Sequence, residues 1–159
     1  ARRHFPGVRF FVSGEQPPLA DIPDGHYTAV FAISVWSHFS EELALGWFEE
    51  MHRLLSPGGH LIFSTHGARS VTHFHEVKGS MPAEKARERL QALGQGDYHF
   101  MAYPADAPNM KGLVNEAGWG MAFAPCRWYE TRLSGKWRFL RFLPGRLLAN
   151  QDVYVLQRR

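Results

Sequence analysis

Residues 53–67, RLLSPGGHLIFSTHG, constrain the fold more than any other stretch of this chain. A helical pattern runs into Pro57, which has neither the N–H nor the free φ that a helix interior needs. Gly58 or Gly59 then supplies the positive φ that reverses the chain, and HLIFST (60–65) continues as a buried strand. Upstream, the helix is predicted from about Ser40 to Leu55, with Ser40 as its cap and Glu41 and Glu42 at the positive end of its dipole. Leu43, Trp47, Phe48, Met51, Leu54 and Leu55 share one side. Glu42, Glu49, Glu50 and Arg53 take the other, with Glu49 and Arg53 spaced as an ion pair. Before the helix, YTAVFAIS (27–34) is too uniformly apolar for one face to meet water, which suits a parallel strand covered on both faces. Strand, helix and strand make a right-handed βαβ unit, and Pro-Gly-Gly is its corner.

The rest of the chain is read around that unit. VRFFV (8–12) reads as a strand, followed by a proline-bearing loop to Asp24 and Gly25. PAEKARERLQALG (82–94) reads as a helix with Ala83, Ala86, Leu90 and Leu93 on one face and Gly94 at its end. Residues 109–117 suggest another helix, ending at Gly118. MAFAPCRWYET (121–131) reads as a strand interrupted or ended by Pro125. QDVYVLQ (151–157) is the last strand, and Leu143 to Asn150 form the turn of a hairpin leading into it. With 159 residues and 45% apolar side chains, the chain is expected to make one α/β domain. Its longest apolar run, Ala29 to Val35, falls far short of the roughly 20 residues of a membrane span. The single cysteine, Cys126, allows no internal disulfide and fits a reducing cytoplasm.

At the level of motifs the chain resembles the class I S-adenosylmethionine-dependent methyltransferases. The residues that carry the likeness are PDGHYTAVFAISVWSHFSEE (23–42), then WFEEMHRLLSPGGHLIFSTHG (47–67), LVNEAGWGMAF (113–123) and QDVYVLQRR (151–159). They stand where that family has its fourth strand, its LxPGG corner and fifth strand, its link to the sixth strand, and its antiparallel seventh strand. Thr28 replaces the family's usual aspartate, and residues 68–108 read as a variable insertion. The resemblance implies an incomplete Rossmann-like sheet, mostly parallel with an antiparallel C-terminal strand. It is incomplete because the family opens with a strand and a glycine-rich turn of the E/DxGxGxG type, and this sequence contains no such turn. The family's strand order, 3-2-1-4-5-7-6, then leaves a gap, so self-association or strand exchange is expected.

Ligands in open α/β sheets sit beyond the carboxyl ends of the strands. By resemblance, Glu15 or Gln16 lies near the adenine of S-adenosylmethionine, and Ser34 and Val35 border the cofactor. Trp36 and His38 face the region between donor and acceptor; His38 and His66 are candidate bases or substrate contacts, against the plainer role of pinning a helix start. Tyr103 is a candidate wall of the acceptor pocket. The acceptor is expected to be a small or sugar-like molecule. His73 and His75 would share one side of a strand, but no third ligand stands at a persuasive spacing, so no metal is expected. Two other readings compete: a non-catalytic interaction module that keeps the sheet, and a nucleic-acid-binding domain using the basic, aromatic stretch from 127 to 146. A solvated basic face explains that stretch more simply, so nucleic acid is not the expected partner, nor is a membrane.

Overall fold

The computed structural model describes residues 4–104 and 118–159. Four strands form the main sheet: β1 (Tyr27–Ala32), β2 (Leu55–Thr65), β5 (Trp137–Leu147) and β6 (Gln151–Arg158), in the order β1-β2-β6-β5. β1 and β2 are parallel, and β6 runs antiparallel to both β2 and β5. Three strands thus point one way and the C-terminal strand points back, as expected. The crossover is helix α1 (Glu41–Leu54), whose N-cap Ser40 accepts a hydrogen bond from the Leu43 amide at 3.3 Å. Gly58 takes a φ of +77° at the corner, the conformation only glycine adopts cheaply.

The apolar side of α1 meets one face of this sheet together with α4 (Cys126–Leu133). Aromatic rings dominate the contact: Phe48 on Phe63, Phe63 on Tyr129, and Tyr129 on Tyr154, with centroids 4.8–5.5 Å apart. A smaller core joins the short helix α2 (Ala68–Thr72) and α3 (Ala83–Gln95) to a separate two-stranded ribbon. That ribbon is β3 (His99–Ala102) paired antiparallel with β4 (Gly120–Phe123). No helix among the described residues is long and apolar enough to cross a membrane.

Several expectations are corrected. Residues 8–12 form no strand, because a strand needs a neighbour to bond and none of the described strands pairs with them. β1 is therefore an edge strand rather than a covered one, and Phe31 on it is 71% exposed. Arg53 pairs with Glu50, not Glu49, and Glu50 is buried (4% exposed) rather than facing solvent. The reason is tertiary: Glu50 accepts the Leu19 amide at 2.8 Å, while Arg53 donates to the Ile22 carbonyl at 2.9 Å. The pair thereby ties the loop before β1 to α1. Helix α3 turns inward through Ala86, Arg89 and Leu93, leaves Leu90 exposed, and ends at Gly96 (φ +96°) rather than Gly94. The strand expected over 121–131 stops at Phe123, and Pro125 caps α4 instead. β5 runs on to Leu147, so the hairpin turn is confined to Leu148–Asn150. His73 and His75 sit in a π-helical turn (His73–Val77), not a strand. The helix expected at 109–117 lies outside the described residues.

Candidate active site

The carboxyl ends of β1 and β2 are knotted together by one buried amide. Ser34, just beyond β1, has a φ of +59°, a strained value for a residue with a side chain. Its amide donates to Ser64 Oγ at 2.8 Å, and Ser64 Oγ donates to Gln151 Oε1 at 2.7 Å. Gln151 Nε2 donates back to Ser34 Oγ at 2.8 Å and lies 3.4 Å from His66 Nε2. Each polar group in the cycle has a partner, so the left-handed turn at Ser34 is held from two sides.

Past Ser34 and Val35 the chain makes a 3-10 turn over Trp36–His38. Its three side chains diverge. Trp36 is 2% exposed, stacks among Phe39, Phe48 and Phe63, and donates Nε1 to the Ala44 carbonyl. It is a core residue, and the expected substrate contact is corrected accordingly. Ser37 is also buried. His38 points to the ribbon, where its Nδ1 lies 2.7 Å from the Tyr103 hydroxyl and 3.1 Å from the Gly120 carbonyl. A carbonyl only accepts, so Nδ1 carries the proton and the phenol oxygen shares it. Nε2 of a neutral His38 is then the basic nitrogen, and the Tyr103 proton is free for another acceptor. Burial raises the Tyr103 pKa, which keeps that proton on the oxygen at neutral pH.

Gly120 is indispensable to this arrangement. A Cβ there would overlap the Met101 carbonyl across the ribbon, so only glycine lets the two strands approach this closely. The preceding residues tie the ribbon to the helix start: the Ser40 amide donates to the Gly118 carbonyl at 2.7 Å, and the Tyr103 amide to Trp119 at 3.2 Å.

His66 lies at the end of β2, 6.3 Å from His38 between ring centroids and stacked on Phe123 at 5.1 Å. It is 4% exposed. Burial first, then the nearby His38, pulls its pKa down to about 4, which the Ala122 backbone opposes only in part. Its ring is neutral at pH 7, and Nε2 faces the Gln151 amide donor. His66 is a wall of the site and a poor proton acceptor.

The structure thus brings Ser34, Val35, His38, His66 and Tyr103 to one end of the sheet. Gln151, Ser64 and Gly120 belong with them and were missed by sequence reasoning. Glu15 and Gln16 stand apart, just before Pro17, which approaches Gly46 on α1. One carboxylate oxygen of Glu15 is buried without a hydrogen-bond partner. A cavity of about 250 Å³, lined by Arg9, Asp21, His26 and Tyr27 among others, shares no residue with the His38 cluster. Burial pushes the Cys126 thiol up to about 11, so it is no nucleophile.

Residues 1–63 match the family described as a methyltransferase domain. The whole chain superposes on the PH0226 protein of Pyrococcus horikoshii OT3, with a TM-score of 0.59 at 12% identity, covering 99% of this chain and 65% of that one. The chain carries a class I methyltransferase fold. A SAM-dependent methyltransferase of Methanosarcina mazei is similar too, with a TM-score of 0.57 at 14% identity over 94% of this chain and 66% of that one. This methyltransferase-like chain therefore spans slightly less than two thirds of the length of either structure. No curated protein matches it. The resemblance read from the fourth-strand segment and the Pro-Gly-Gly corner is borne out, and so is the Rossmann-like α/β class.

Proposed function

We propose that the chain serves S-adenosylmethionine-dependent methyl transfer to a small-molecule acceptor, with His38 as the base. The observation that carries this reading is the fixed His38 imidazole at the carboxyl end of β1 in a methyltransferase fold, its Nδ1 proton held by Gly120 and Tyr103. When bound, the cofactor supplies an electrophilic methyl on a sulfonium. The residues that suit it are Ser34 and Val35 at the strand end and Glu15, whose unpartnered buried oxygen can accept from a ribose hydroxyl or an adenine amine. The E/DxGxGxG turn that holds the methionyl part in the family is not among these 159 residues, so the fit concerns the nucleoside end.

In this reading the acceptor's hydroxyl or amine lies against His38 Nε2. His38 would take that proton, while a bound sulfonium cofactor would supply the methyl group and leave as the neutral thioether. Tyr103 donates its free proton to the bound acceptor, and the neutral His66 ring walls the site. Titration with S-adenosylhomocysteine by calorimetry tests the cofactor part: saturable binding is expected, and its absence favours the interaction-module reading. Among acceptors that then turn over, His38→Gln should cost about 10²- to 10⁴-fold in kcat with cofactor affinity retained. Full activity of that variant would remove His38 from the mechanism.

A further inference from the structure

We propose that Arg89 receives a carboxylate borne by the molecule that binds beside His38 and Tyr103. Arg89 lies in α3 and is 6% exposed, yet none of the ion pairs among the described residues includes it. Its partners are soft: Nη2 donates to the Met101 sulfur, and the guanidinium stands 5.1 Å over the Phe123 ring. Nε is buried without a hydrogen-bond partner. The adjacent carboxylate, Glu88, is held by Lys85 at 3.0 Å on the exposed side of the helix. A guanidinium has five N–H donors in a planar fork that matches a carboxylate, and a thioether and a ring leave most of that capacity unused.

The position connects this unmatched charge to the site. Across the ribbon His99 pairs with Phe123 and Met101 with Met121, so His99 and Met101 share one face, and Tyr103 follows two residues further along the chain. Phe123 stacks on His66, which neighbours His38. Arg89, Phe123, His66 and His38 therefore form a row of successive ring contacts from a cation with no ion pair among the described residues to the His38 imidazole. The side chains in contact with the guanidinium, Met101 and Phe123, are apolar, and His99 lies nearby; contacts of this kind favour a planar monoanion over a phosphate dianion that would lose more hydration. Calling the bound molecule the methyl acceptor rests on the function proposed above; the binding of a carboxylate at Arg89 does not.

The test uses the full chain and simple probes. Benzoate, benzyl alcohol and inorganic phosphate are titrated separately while the Arg89 Nε–H resonance is followed by NMR, assigned by its loss in Arg89→Lys. Benzoate should shift it saturably and benzyl alcohol should not, and Arg89→Met should weaken benzoate at least about tenfold by calorimetry. Equal responses to benzoate and benzyl alcohol, or undiminished benzoate binding by Arg89→Met, would overturn the proposal. Saturation by phosphate alone would overturn the choice of carboxylate. Should Arg89→Met fail to fold, the comparison of the two benzyl probes on the unaltered chain decides. S-adenosylhomocysteine is titrated in parallel: benzoate binding without it sinks the methyl-transfer reading and leaves Arg89 standing, while the reverse sinks Arg89 alone.

Discussion

Lowering the pH from about 7.5 to about 5 should destabilise this fold by about 2 kcal/mol through His66 alone. The ring titrates at about 4 in the folded chain, against 6.5 for an unperturbed histidine, because burial and the neighbouring His38 disfavour its charge. A histidine whose folded pKa is depressed contributes stability that is present above the unfolded value and lost as the pH falls toward the folded one. Near pH 5 the unfolded ring is almost fully protonated and the folded ring hardly at all. The gap of about 1.4 log units in proton binding converts at about 1.36 kcal/mol per unit. The control is His66→Phe, which keeps a flat ring against Phe123 and removes the titration. It also removes one of the two acceptors of the Gln151 amide, which keeps Ser34 Oγ, and that loss does not depend on pH. His52 and His99, both lowered by burial, and Asp152, raised by burial, titrate in both proteins and cancel in the comparison. Urea unfolding at the two pH values should show the unaltered chain losing about 2 kcal/mol more than the variant. The same pH slope in both proteins, or a His66 NMR titration centred near 6.5, would refute the reasoning.

Four further outcomes are expected. Tyr103→Phe removes one partner of His38 and a donor to the acceptor, and should lower kcat about tenfold while His38→Gln costs more; equal activity would take Tyr103 out of the site. Gly67→Ala places a Cβ onto the Asp152 carboxylate, which also accepts the Gly145 amide at 2.7 Å. It should cost about 2 kcal/mol in urea unfolding, and the Gly67→Ala/Asp152→Ala double variant should lose less than the sum of its parts. Glu50→Gln should lower the thermal midpoint at neutral pH and flatten its fall below pH 4.5, because Arg53 holds the Glu50 carboxyl below that value and its contribution is lost as the pH falls. On the open edge, self-association through β1 should be weakened by Phe31→Lys; native mass spectra showing 18.2 kDa species alone for both proteins at high concentration would dismiss it.

The parts of the fold legible in the sequence are those set by neighbours in the chain. Ser40, the α1 stripe, Pro57 and Gly58 act within a few residues of one another, and each does in the structure what its chemistry requires. Residues 8–12 have a strand's composition, but none of the described strands pairs with them, and composition does not supply the missing ladder. Residues 121–131, read as a strand interrupted or ended by Pro125, were legible in part: the strand does end ahead of Pro125, but a helix follows, and Trp128 Nε1 on it reaches Glu41 Oε1 at 3.0 Å across 87 residues. Leu90 and Arg89 traded places because Phe123 and Met101 lie where the inward helix face ends, and the guanidinium covers them.

The site divides along the same line. Ser34, His38 and His66 could be singled out as candidates because ligands gather where parallel strands end, and strand ends can be read from a βαβ pattern. What distinguishes the two histidines could not be read there. His38 is oriented by Tyr103, 65 residues away, and by the carbonyl of Gly120, 82 residues away. His66 is turned toward Gln151, 85 residues away, and stripped of solvent by Phe123 and Phe74. Each ring follows an apolar strand, yet one is oriented by the ribbon through Nδ1 and the other is held neutral by burial. The difference lies in what the distant ribbon and the last strand present to them. Position along the chain identifies where chemistry is possible, and tertiary partners decide which of two like side chains can perform it.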